Sequence, residues 1–150
     1  VDRRQRQMCI RDSLTWDRAC IGFLPTYAAN AHYHGHNADR TLEDVLDEAE
    51  GFADGPYRKA LAAGHRLDPA DRAQVVATVS RLTGLDVNYI ERADLRIEHV
   101  RFCTELLRSK GKAVGRIDGR YTGALPRRTY EVADTDPSGD DTVAIFVHGF

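Results

Sequence analysis

A chain of 150 residues, 42% hydrophobic and 29% charged, is long enough for one domain with a real core and too well provided with apolar residues to be a disordered tail. A formal charge of −2 argues against a general nucleic-acid binder, and no apolar run approaches the length that crosses a bilayer. The three cysteines have no short paired spacing, which leaves neither a disulfide framework nor a zinc-finger pattern.

The first thirteen residues, Val-Asp-Arg-Arg-Gln-Arg-Gln-Met-Cys-Ile-Arg-Asp-Ser, are basic, lack apolar periodicity and contain no h-region, so they do not form a signal peptide. They resemble the translated read-through of a sequencing adapter, the alternative being an ordinary polar or disordered arm. Residues 1–13 are therefore set apart from 14–150. Without their four Arg and two Asp the charge moves from −2 to −4.

Leu24-Pro-Thr-Tyr is expected to open a short helix from Tyr27 to about His34, with Pro25 in its first turn. Thr41 should cap the next helix. There Leu42, Val45, Leu46, Ala49, Phe52 and Ala53 recur at helical spacing and Glu43, Asp44, Asp47, Glu48 and Glu50 are left for solvent. Gly55-Pro56 should restart the chain into a helix over 57–63, stopped by Gly64. Asp68-Pro69-Ala70-Asp71 is a strong helix start, leading Val75, Val76, Val79 and Leu82 inward and ending at Gly84. Asp86 caps a shorter helix to about Ala93. A further helix, from about Glu98 to Lys110, is expected to bury Val100, Cys103, Leu106 and Leu107 before Gly111 closes it.

From Lys112 the pattern changes. Residues 113–121 mix glycine with alternating polar and apolar side chains, which suits an extended strand or an irregular loop, and 124–141 are loop-like. The terminal Val143-Ala-Ile-Phe-Val-His-Gly-Phe150 fits a helix or a strand equally in pattern. The expected class is mainly α, built of short capped helices with a short extended segment near 113–121.

No Gly-x-Ser-x-Gly occurs, and none of Ser13, Ser80, Ser109 and Ser138 sits on a strand-turn-helix elbow. Yet three blocks in order resemble one enzyme family. They are Phe23-Leu-Pro-Thr-Tyr-Ala-Ala-Asn-Ala-His-Tyr-His34, then Arg81-Leu-Thr-Gly-Leu with Tyr89 and Arg92-Ala-Asp-Leu-Arg-Ile97, then Phe102 with Glu105-Leu-Leu and Gly115-Arg-Ile-Asp-Gly-Arg-Tyr-Thr-Gly123. Together they resemble the helical insertion and flanking segments of bacterial serine-carboxypeptidase-like peptidases, over roughly residues 16–140. The resemblance implies the cap subdomain of an α/β-hydrolase and hydrolysis of a C-terminal peptide bond by a Ser-Asp-His triad. It implies that the serine precedes this insertion and the Asp and His follow it. The chain is then expected to be an internal piece of the enzyme, inactive alone, with the peptide substrate bound by an exported parent and no cofactor. His32 stands where the family pattern has Trp, and Glu98-His99 where an Asp-Pro-like helix start is expected. The segment 141–150 also resembles a hydrolase strand entering a His-Gly oxyanion loop, whereas the order of the blocks makes it a helix leading back to the sheet.

Two constellations carry candidate chemistry. His32-x-His34-x-His36 has the nitrogen ligands zinc favours, with Asp39 or Cys20 as further donors; a stand-alone helical interaction or metal-binding module is the alternative function, against solvent-facing histidines. Arg116, Asp118 and Arg120 alternate along the extended stretch and should point to one side. They are the candidate substrate-binding residues, two guanidiniums able to take a substrate carboxylate, or else an ion-pair set that fixes the cap to the sheet. Cys20 and Cys103 are expected to be small buried hydrophobes, and Ser138 a turn residue.

Overall fold

A computed structural model of the protein describes residues 3–125, with side chains from Thr15 onward. Ser138 and the segments 126–141 and 142–150 lie outside the described residues. Among the described residues the fold is mainly helical, with a short two-stranded antiparallel sheet.

Helix α1 spans Arg3–Tyr33, so the helix expected from Tyr27 begins far earlier and Pro25 lies in its interior. The cause is a stripe at helical spacing: Cys20, Ile21, Leu24, Tyr27, Ala28 and Ala31 are all buried. An interior proline removes one hydrogen bond at about 3 kcal/mol, but burying Leu24 and Tyr27 returns about 2 kcal/mol each. Packing wins. Helix α1 is the spine against which α2 (Leu42–Phe52), α3 (Arg58–Ala63) and α4 (Pro69–Thr83) pack.

The Thr41 hydroxyl accepts from the Asp44 amide and starts α2, which buries Val45, Ala49 and Phe52 while Leu42 stays exposed. The acidic face is not wholly solvated. Glu48 reaches Arg40 (2.5 Å) and Arg81, tying α2 to α4. The expected restart at Gly55-Pro56 is replaced by a π-helical turn, Ala53–Tyr57, that runs directly into α3. Widening the turn accommodates a proline without breaking the rod, and it leaves Ala53 and Tyr57 both buried. Asp68 caps α4 through the Ala70 amide and Gly84 ends it in the left-handed conformation (φ 70°), as the sequence predicts. Asp86 likewise caps α5 (Val87–Arg92) through the amides of Asn88 and Tyr89.

Between α5 and α6 (His99–Glu105), Asp94 and Leu95 both have positive φ, 49° and 66°. Two such residues in a row are costly for L-amino acids and persist only where neighbours over-determine them. Here the Tyr57 hydroxyl donates to the Leu95 carbonyl (2.5 Å), the Leu95 side chain is buried, and Asp94 pairs with Arg72 (2.9 Å) and Arg96 (3.1 Å). Arg96 also grips Asp17 of α1 (2.8 Å), and Arg72 grips Glu91 (2.8 Å). Glu98 caps α6 through the amides of Val100 and Arg101. That helix is shorter than expected: Leu107 leaves helical geometry (φ −112°, ψ 20°), and a 3-10 turn, Arg108–Lys110, follows before Gly111. The turn lets Leu106 and Leu107 both enter the core beside Phe102 and Cys103, whereas Val100 is only half-buried. Strands β1 (Lys112–Val114) and β2 (Thr122–Ala124) pair antiparallel, Ala113 opposite Gly123. The loop 115–121 between them carries the residues singled out above.

Candidate functional site

Tyr27 is the point where distant parts of the chain meet. It lies one turn below Phe23 on α1; its ring stacks on Phe102 of α6 (centroids 4.1 Å) and its hydroxyl donates to the Ile97 carbonyl (3.3 Å). Burial drives the phenol pKa far up, so it stays a neutral donor. His99, the first residue of α6, lies over Phe23 (5.0 Å, nearly parallel), and its Nε2 donates to the Arg116 carbonyl (2.9 Å). A carbonyl only accepts, so Nε2 carries a proton, and the buried Nδ1 has no hydrogen-bond partner among the described residues.

The loop 115–121 is clamped from several sides. Cys103 Sγ donates to the Gly115 carbonyl (3.7 Å), the Gly115 amide bonds the Tyr121 carbonyl (3.0 Å), and His34 Nε2 donates to the Gly119 carbonyl (2.6 Å). Gly119 sits so close to α1 that a Cβ there would fall 2.4 Å from the Asn30 side chain. Any larger residue there would displace the Asn30 side chain.

The clamped loop holds Arg116, Asp118 and Arg120, but it is irregular, so the alternation rule for a strand does not apply to them. Asp118 turns back: it accepts the Arg120 amide (3.0 Å) and pairs with the Arg120 guanidinium (2.6 Å). Arg120, by hydrogen bonding first, holds the Asp118 carboxyl below its ordinary range. Arg116 and Arg120 are exposed at the surface, on either side of Ile117, itself 67% exposed.

The three histidines diverge. His32 Nε2 donates to the Arg40 carbonyl (2.9 Å), His34 goes to Gly119, and the His36 ring packs over Gly84. Among the described residues no group of three or more His, Cys, Asp or Glu is placed to hold a metal ion. Cys20 and Cys103 are buried free thiols, as expected, and burial pushes the Cys20 thiol up to about 11, far from a reactive thiolate.

The part that Asn30 and His99 play at this junction is not apparent from the sequence. Phe23 and Tyr27 at i, i+4 on a helix were a readable signal, whereas the partners of His34 and His99 are carbonyls of a loop, which leave no pattern.

Acid should weaken the fold in two stages. His36 is lowered from its ordinary 6.5 by burial first, then by Lys110 and His34, so below 6.5 the unfolded chain takes the proton first and stability falls. Glu48 is lowered from 4.5 to about 2 by hydrogen bonds from Arg81 and then Arg40; its contribution, full above 4.5, is lost as pH falls through 2. Urea titrations across pH should show His36→Gln flattening the upper stage and Glu48→Gln the lower one. Unchanged profiles in both variants would refute the assignment.

No protein-family model matches the chain, and no curated protein or solved structure is significantly similar to it.

Proposed function

We propose that the chain is the helical cap of a serine-carboxypeptidase-like α/β-hydrolase, roofing an active site whose Ser-Asp-His triad lies outside these 150 residues. The observation that carries this reading is the meeting of the three resembling blocks. Tyr27 of the first donates to Ile97 of the second and stacks on Phe102 of the third, and His34 of the first holds Gly119 of the third. Such motifs serve packing, and a roof that restricts access and excludes water needs rigidity more than reactive groups.

The two serines whose side chains are described agree with this reading. Ser80 donates to the Leu85 carbonyl (2.6 Å) and Ser109 is exposed on a 3-10 turn, with no histidine bonded to either among the described residues. Trp16 and Phe23, seven residues apart on α1, are 43% and 39% exposed and Ile117 is 67% exposed; large apolar side chains left open in this way are of the kind a cap buries against its sheet. In the parent, the clamped loop with its Asp118–Arg120 pair joins cap to sheet, and Arg116 and Arg120, both exposed on that loop, are the guanidiniums proposed to meet a peptide carboxylate. The purified chain should hydrolyse no N-blocked dipeptide. Turnover that a serine-reactive inhibitor abolishes would overturn the proposal.

A further inference from the structure

Between α5 and α6 runs a groove of about 490 Å³, lined by Tyr89, Arg92, Arg96, Glu98, Arg101, Glu105 and Arg108. The lining holds four arginines and two glutamates, and both glutamate carboxylates are committed. Glu98 accepts the amides of Val100 and Arg101 (3.0 Å each) as the cap of α6, and Glu105 is held by Arg108 (2.7 and 2.9 Å). Arg96 is fixed by Asp17 and Asp94. Arg92 is exposed and forms no ion pair with any described carboxylate.

The groove has no lysine: its cations are all arginines, whose planar forks match the paired oxygens of phosphate and carboxylate. Burial, and secondarily Glu105, pushes the Tyr89 phenol up to about 12, so it remains an O–H donor at neutral pH. The volume falls in the range of small-molecule sites, several times what one monatomic ion needs.

The geometry points to an oxyanion site in this groove, taking a small molecule with two or more phosphate or carboxylate groups, with Arg92 supplying the charge that no described acid answers. Arg96 and Arg108 are held in place by their acidic partners and shape the wall. The site stands independently of whether the chain caps a hydrolase.

Calorimetric titration of the 150-residue chain with inorganic pyrophosphate, and separately with citrate, tests it. One or both should bind at one equivalent, more weakly as salt rises, and the stronger of the two identifies phosphate or carboxylate as the recognised group. Arg92→Glu should weaken that binding at least about tenfold, and Arg92→Gln by a smaller factor. Lys59→Glu, a charge change in the groove beside α3 and α4, should leave it unaltered. Both Arg92 variants should keep the wild-type melting curve, because the side chain is exposed. Absence of binding of either anion up to about 10 mM, or binding equal in wild type and Arg92→Glu, overturns the site.

Discussion

Replacing Tyr27 with Ala should destabilise the fold by about 3–5 kcal/mol, the range for deleting a buried large aromatic side chain. In a chain of this size that lowers the melting temperature by roughly 10 °C. The ring is 1% exposed, lies against Phe102 at 4.1 Å and holds the Ile97 carbonyl, so its loss opens a cavity and strands a buried acceptor. Tyr27→Phe removes only the hydroxyl and should cost about 1 kcal/mol. Urea unfolding of both variants separates ring from hydroxyl. If Tyr27→Ala is no worse than Tyr27→Phe, Tyr27 is not the junction described above.

Gly84→Ala should cost about 2–4 kcal/mol, the sum of a left-handed backbone and an overpacked contact. Gly84 has φ 70°, and a Cβ there would lie 2.8 Å from three atoms of the His36 ring. At Gly111, with φ 67° and nothing within 4 Å of the added carbon, the same substitution carries only the backbone penalty, about 1–2 kcal/mol. The difference belongs to His36, so the double variant Gly84→Ala/His36→Ala should recover part of the loss in a thermodynamic cycle. Strict additivity would show that the ring does not press on that turn.

What could be read in advance was local. Thr41, Asp68 and Asp86 cap where an acceptor side chain precedes an apolar period, and the Gly84 stop follows from the same logic. The mainly helical class follows from those caps. The π-helical turn at Ala53–Tyr57 escaped because Gly-Pro reads as a break, and only burial of Phe52, Ala53 and Tyr57 on one side favours continuity. Helix α1 runs through Pro25, a residue that in sequence marks a first turn, because the stripe Cys20, Ile21, Leu24, Tyr27, Ala28 and Ala31 is buried as one face. The site was less legible. Arg96 and Asp17 are 79 residues apart, and His34 and Gly119 are 85 apart; no spacing rule pairs groups at such distances. Reading Arg116, Asp118 and Arg120 as a strand gave them one common side. The loop instead folds Asp118 onto Arg120, because a short side chain before a turn captures the amide two residues on.

The cap reading places the chemistry in neighbouring sequence, so the most direct measurement is to sequence the genomic DNA on both sides of the segment encoding Leu14 to Leu125. The account predicts, in the same reading frame, a Gly-x-Ser-x-Gly upstream and an Asp and a His downstream, with Ser→Ala in the whole protein abolishing release of C-terminal residues from peptides. A reading frame that encloses these helices without any such serine would contradict it.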